Sequence, residues 1–238
     1  MENPNVYLVT AGAHGIGKAI SVSLLESGAS VVCTWHTDRT EADALSSAYP
    51  GSVFLLAASL EKPETASSLV RSAYAWKGRL DGIVNNASSF CPLPFEETTV
   101  EDFRLMLDIH AATPFFLAQA YAQRLGEGKG CVVNITDSLA LRGNGKKAAY
   151  RIAKGALEAE TSVLASVLGP RIRVNAVAPG FVKPHGERET AFFEKEEANL
   201  PLGTCRDEGS VASAVLYLLS SSSVTGETIH TDGGRHLV

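Results

Sequence analysis

Three side chains in one stretch of this chain have types and spacing that could do chemistry. The segment NITDSLALRGNGKKAAYRIAK, residues 134–154, carries Asp137, Tyr150 and Lys154. The Tyr and the Lys stand at i and i+4 in a segment with helical periodicity, so they share one helix face. A phenol with a pKa near 10 is a poor acid–base group at neutral pH. A nearby ammonium favours the phenolate and lowers that value. The pair therefore points to an activated proton donor, with the amine also able to hold a sugar hydroxyl. Asp137 precedes the Tyr by 13 residues, straight after a strand-like run. Tyr-x-x-x-Lys alone is a frequent accident of helices, so the pair needs support from elsewhere in the chain.

A second signal is TAGAHGIGKAI, where Gly12, Gly15 and Gly17 lie between a strand-like run and a helix. Glycines there let backbone approach a pyrophosphate, and the helix N-terminus supplies N–H groups and a positive dipole end. A merely tight turn is the plain alternative. The next strand ends in CTWHTDR. An NAD-dependent protein commonly places Asp or Glu there to bind the ribose 2′-OH, but Trp35, His36 and Thr37 fill the slot. Nothing in it repels a 2′-phosphate, and His14 and His36 can donate hydrogen bonds to one. The cofactor expected is NADPH. Exposed histidines without a role are the alternative.

The elements that must position these groups are short apolar runs: 6–10, 30–34, 53–57, 82–87, 131–136, 172–180 and 227–234. They are nearly continuous rather than alternating, as strands covered on both faces are. Helical periodicity marks 18–27, 65–76, 101–124 and 150–168, the third expected to split near Thr113–Pro114. This alternation implies an α/β fold: a doubly wound, parallel, seven-stranded sheet with helices on both faces. No repeat, low-complexity tract or linker interrupts it, so one domain is expected over 1–238. Residues 181–203, rich in charge and Gly/Pro, read as a substrate lid. Phe181, Phe192 and Phe193 in it suit a pocket, an interface or the core equally.

Composition narrows the functional classes. With 238 residues, 45% hydrophobic and 20% charged, the chain is long enough to fold without disulfide or metal staples. A net charge of −5 gives no reason to expect nucleic acid or an anionic membrane as partner. No cysteine pair has metal-ligand spacing, and Cys33 and Cys131 sit in apolar runs as inert thiols. The N-terminus does not resemble a signal peptide and no apolar run spans a membrane, so a cytoplasmic protein is expected.

Taken together, the motifs resemble the short-chain dehydrogenase/reductases. They are Gly12, Gly15, Ile16 and Gly17; the NNA of 85–87; Tyr150 with Lys154; Pro179–Gly180; and a late DGG at 232–234. The resemblance covers essentially the whole chain. It implies a Rossmann fold, hydride transfer from a nicotinamide cofactor, and often a homotetramer. It assigns cofactor contacts to Gly12, Gly15, Ile16, Gly17, Asn86, Ala87, Ser88, Tyr150, Lys154, Pro179, Gly180 and Val182.

Departures from the family pattern narrow it further. Where the family usually has a carbonyl-polarising Ser, this chain has Asp137, with Ser138 one place late. Its usual relay Asn is His110, and the first glycine of its turn is Ala11. A carboxylate suits a nitrogen heterocycle, from whose N–H or amino groups it accepts, and can serve in protonating a ring nitrogen. The pteridine and dihydromonapterin reductase branch is similar in this respect. That likeness implies a catalytic set of Asp137, Tyr150 and Lys154, and a pterin-like substrate stacked on Phe90 beside Ser88. Gly15 stands where that branch usually has Arg. Two other readings stay open: a ketone reductase in which Ser138 is the polariser, and a non-catalytic dinucleotide-binding protein.

Overall fold

The computed structural model describes residues 4–90, 93–142, 147–182, 193–205 and 207–238. Seven strands form one sheet: β1 (Val6–Val9), β2 (Ser30–Trp35), β3 (Val53–Ala57), β4 (Gly82–Asn85), β5 (Gly130–Ile135), β6 (Ile172–Pro179) and β7 (Thr228–Thr231). Their order is β3-β2-β1-β4-β5-β6-β7, and every neighbouring pair is parallel. The winding reverses between β1 and β4. That switch point opens a crevice at the carboxyl ends of the strands, where ligands bind in such sheets.

The inner strands are largely apolar and buried because helices cover both faces, whereas the edge strand β7 (TIHT) is only half-buried. The helices packed on the sheet among the described residues are α1 (Gly15–Glu26), α2 (Thr40–Ala48), α3 (Ala66–Lys77), α4 (Val100–Leu107), α5 (Thr113–Leu125), α6 (Ala148–Leu168) and α7 (Glu208–Ser220). On one face Ile20 and Leu24 of α1, Leu45 of α2 and Leu218 of α7 pack on Val9, Val31, Val133 and Val177. On the other, Leu69 of α3, Leu117 of α5 and Leu164 of α6 pack on Leu8, Val32, Val132 and Val174. Successive strand residues feed opposite layers. Burying each large apolar side chain contributes about 1.5–3 kcal/mol. Helical periodicity did not single out α2 or α7. The first buries only Ala42 and Leu45, and the second (EGSVASAVLYLLS) is too uniformly apolar to show a stripe.

The segment 101–124 divides without breaking. A π-helical stretch, Asp108–Ala112, joins α4 to α5. Thr113 keeps helical dihedrals of φ −62° and ψ −47° although Pro114 follows it. Pro lacks an N–H, and its ring strikes a carbonyl in a regular helical turn. The wider π turn absorbs both defects, and such bulges gather at functional sites. This one carries His110.

Of the expected lid, residues 183–192 lie outside the described residues, as do Phe192 and Cys91. Phe181 and Phe193 stack at 4.4 Å and join Leu200 and Cys205 in a small core cluster. Among the described residues, Cys33, Cys131 and Cys205 are free and buried, no group of His, Cys, Asp and Glu suits a metal, and no helix is long and apolar enough to cross a membrane.

Candidate active site

Buried polar contacts set the register of α6 against β5. Asn134 Nδ2 donates to Thr161 Oγ1 at 2.9 Å, and its Oδ1 accepts from Asn85 Nδ2 on β4 at 2.8 Å. One residue along β5, the Ile135 carbonyl accepts from Lys154 Nζ at 2.6 Å. Two residues beyond that, just off the strand, Asp137 Oδ2 accepts from Tyr150 Oη at 3.1 Å. The other carboxylate oxygen accepts the Leu139 N–H at 2.8 Å, which holds the rotamer. The strand exit and the helix thus bring Asp137, Tyr150 and Lys154 together at the carboxyl edge of the sheet.

The electrostatics of this cluster correct one expectation. Tyr150 is pushed well above the usual phenol value, first by burial and then by the charge of Asp137 and the hydrogen bond to it. The Ser88 hydroxyl and the Arg151 charge oppose that rise. Lys154 does not lower it, because the amine is turned to the Ile135 carbonyl and lies 6.0 Å from the phenol ring centre. Burial lowers Lys154 itself to about 8, with Asp137 pulling the other way. At neutral pH Tyr150 keeps its proton, so the group is built as an acid rather than as a phenolate base.

Ser138 does not take the place of Asp137 beside the phenol. Its N–H donates to the Pro179 carbonyl at 3.1 Å, and its buried hydroxyl has no partner among the described residues. His110 is buried, edge-on to Tyr150 at 5.2 Å. Its Nε2 lies 2.9 Å from the Ser89 carbonyl, while Nδ1 has no partner among the described residues. Burial, then the Lys154 charge, lowers its pKa to about 3, so the ring is neutral. Phe90 lies at the surface rather than in the core. It is 54% exposed and leans on Tyr150 at 4.8 Å, with Lys147 Nζ 4.3 Å from its ring centre.

At the other end of the crevice, a Cβ on Gly17 would lie 2.2 Å from the Ala11 carbonyl and 2.5 Å from Asn86 Nδ2. One on Gly12 would lie 2.8 Å from Ser21 Oγ. Both glycines let the turn pack tightly. Gly15 differs: its φ is +47° and its surroundings are open. Asn86 and Ala87 brace the turn. Asn86 Nδ2 donates to the Thr10 carbonyl at 2.9 Å, and both backbone N–H groups donate to Thr10 Oγ1 at 2.9 Å. The first N–H groups of α1, including those of Ile16 and Gly17, have no intrahelical acceptor and suit a pyrophosphate.

His14 and His36 are exposed, and His14 Nδ1 sits 3.9 Å from the Glu41 carboxylate that Lys18 also holds. Sequence reasoning passed over Arg39, whose guanidinium lies 5.6 Å from the Trp35 ring centre at the end of β2 and pairs with Asp43 at 2.8 Å. It also passed over Thr10 and Thr34, which tie the turn together; Thr34 Oγ1 accepts the Ala11 N–H at 2.9 Å. At the end of β6, Gly180 N–H donates to the Thr231 carbonyl at 3.3 Å, and half-buried Val182 follows two residues on. A cavity of about 550 Å³ at the opposite, amino edge, between Tyr7, Leu24 and Tyr217, holds none of these groups.

A doubly wound sheet with a Gly-rich first turn, and with Tyr and Lys on α6 at its carboxyl edge, defines a nicotinamide-dependent oxidoreductase. Residues 10–236 match the family model described as enoyl-(acyl carrier protein) reductase, and the chain belongs to the short-chain dehydrogenase/reductase family. Among solved structures it is similar to FolM alternative dihydrofolate reductase 1 from Brucella suis in complex with NADP. The two are 33% identical with a TM-score of 0.92, over 99% of this chain and 96% of that one. Dihydromonapterin reductase of Citrobacter koseri is 29% identical, over 99% of this chain and 98% of that one. L-xylulose reductase of Bos taurus is 34% identical, over 95% and 94% respectively. The NADP in the Brucella complex agrees with the cofactor expected from the sequence.

Proposed function

We propose that this protein is an NADPH-dependent reductase that adds hydride to a C=N bond of a dihydropterin, giving the tetrahydropterin. One observation carries the reading: the Asp137 carboxylate, 3.1 Å from the Tyr150 phenol, occupies the place where a ketone reductase needs a donor. A carbonyl oxygen gains negative charge as it is reduced, and a carboxylate repels that charge. A heterocycle presents N–H and amino groups, which a carboxylate accepts. The similarity to the Brucella and Citrobacter proteins supports the same choice.

Bound NADPH supplies the hydride. Tyr150, held protonated by burial and by Asp137, gives its proton to the ring nitrogen. Asp137 orients the phenol and takes a hydrogen bond from the substrate. The Lys154 ammonium, anchored on the Ile135 carbonyl, holds a ribose hydroxyl. Ser88 bonds the phenol, and Phe90 is the face on which the pterin stacks. The turn of Gly12, Gly15, Ile16 and Gly17 holds the pyrophosphate, braced by Asn86 and Ala87. Pro179, Gly180 and Val182 offer backbone to the carboxamide. Arg39, with His14 and His36 nearby, meets the 2′-phosphate. Exposed Phe115 and Phe116 on α5, with Ile152, Val163 and Val167 on α6, fit the homotetramer that the resemblance implies; light scattering on the purified protein reads the assembly directly.

The test is NADPH oxidation with dihydrobiopterin, run beside a simple diketone and acetoacetyl thioester, on wild type and Asp137→Ala. Pterin turnover that Asp137→Ala abolishes is the expected result. The second reading, a carbonyl reductase, is favoured by the likeness to the protein named L-xylulose reductase. Turnover of carbonyls alone, indifferent to Asp137→Ala, would establish it in place of the first.

A further inference from the structure

We propose that Arg235 is a substrate-binding residue whose guanidinium donates to an acceptor oxygen of the molecule that Asp137 and Tyr150 act upon. The proposal rests on the pterin reading for the chemistry of that molecule.

Arg235 opens a short 3-10 turn, Arg235–Leu237, after β7, on the same sheet edge as Asp137. The turn is anchored without its side chain. Asp232, 2% exposed, accepts the Gly234 N–H at 3.0 Å and the His236 N–H at 2.7 Å, and its Oδ2 lies 3.0 Å from His236 Nδ1. At the end of the chain Arg142 donates to the Val238 carbonyl at 2.6 Å, and Arg142 belongs to the loop that Asp137 begins. The C-terminus is thereby laid directly against the catalytic loop.

The guanidinium lies flat enough on Phe181 to put Cζ 3.6 Å from the ring centre, and Phe193 backs that ring at 4.4 Å. Stacking of this kind fixes a guanidinium and leaves its N–H edge available. Among the described residues nothing accepts a hydrogen bond or an ion pair from it. The guanidinium is half-buried and its N–H groups are not among the buried polar atoms left without a partner, so solvent, or a ligand in its place, reaches them. Burial lowers the pKa of Arg235, and Asp137 is the first of the charges that restore it, with Glu196 also restoring and Arg151 opposing. A cation with vacant donors and a carboxylate with acceptor capacity thus face the same reaction edge without pairing. A ligand that gives Asp137 an N–H and Arg235 an oxygen satisfies both. That oxygen is a ring oxo group or a carboxylate on the substrate's tail.

The plain alternative is a stacking strut for Phe181. Two variants separate the two: Arg235→Met keeps the stem over the ring without donors, and Arg235→Lys keeps the charge without the fork. KM and kcat are measured with dihydrobiopterin, which has no carboxylate, and with dihydrofolate, which has two, together with the NADPH dissociation constant by fluorescence. The expected result for Arg235→Met is a rise in KM of about tenfold or more, with kcat and NADPH affinity little changed and partial recovery in Arg235→Lys. A rise on both substrates places the acceptor on the shared ring. A rise on dihydrofolate alone places it on the tail. Unchanged KM on both overturns the proposal, as does a loss of thermal stability and kcat without any change in KM. If wild type reduces carbonyls and no pterin, the pterin reading fails by itself, and the same variants on the carbonyl substrate decide Arg235 separately.

Discussion

Tyr150 Oη and Asp137 Oδ2 stand 3.1 Å apart, although 13 residues separate them in the chain. The phenol keeps its proton because it is buried and faces a carboxylate. An acid so held is matched to reduction, in which a proton must follow the hydride.

Replacing Asp137 by Ala should lower kcat on a dihydropterin by about 10²–10³, within the usual range for groups that support proton transfer. Asp137→Ser should lose the pterin to a similar degree yet gain turnover on a diketone, since a hydroxyl donates where a carboxylate cannot. Steady-state rates on both substrates check this pair. Equal losses on both from either variant would remove Asp137 from substrate choice.

The pH profile should report Lys154. Its value is lowered to about 8, so the ammonium is present below that pH and lost above it. With the ribose hydroxyl no longer held by a cation, kcat/KM should fall as pH rises through about 8. Lys154→Arg cannot deprotonate in this range, so its residual activity should lack that alkaline limb. A limb of unchanged position in the variant would assign it to another group. His110, lowered to about 3, should add no limb near neutrality.

The glycines of the first turn should separate. A Cβ on Gly17 would lie 2.2 Å from the Ala11 carbonyl, so Gly17→Ala should both melt earlier and lose NADPH affinity. Gly15→Ala meets open space at φ +47° and should cost only about 1 kcal/mol of left-handed strain. Thermal melts and cofactor titrations on the two variants read the difference.

Glu160 offers a stability test away from the site. Burial raises its carboxyl to about 8 from an ordinary 4.5, and its Oε1 has no partner among the described residues. A raised acid is neutral and harmless below about 4.5, and the stability it leaves intact there is lost as pH climbs to about 8. Glu160→Gln should therefore raise the stability at pH 8 by on the order of 1 kcal/mol after allowing for solvent contact, read as a higher melting temperature, and leave it unchanged at pH 4.5. Equal shifts at both pH values would place the effect in packing rather than charge.

Much of this molecule is written locally. Seven apolar runs became seven strands with ends displaced by no more than a few residues, because a strand covered on both faces must be continuously apolar. The Gly-rich turn and the Tyr–Lys pair were legible because each is a short spacing on one element. The helices α2 and α7 were not legible, since one buries too little and the other is apolar on too many sides to show a period.

The sequence by itself determined the sheet, the place of the dinucleotide turn and the presence of a carboxylate thirteen residues before the phenol. Only the tertiary structure decided what those groups are to each other. It turned Lys154 to the Ile135 carbonyl instead of the phenol, set the direction of the Tyr150 shift, put Asp137 rather than Ser138 against the phenol, and laid the last residue of the chain, Val238, on Arg142 of the loop that follows β5. The reason is physical. Hydropathy and spacing are properties of neighbours in the chain, whereas desolvation and charge coupling are set by neighbours in space, and those exist only once distant elements have packed.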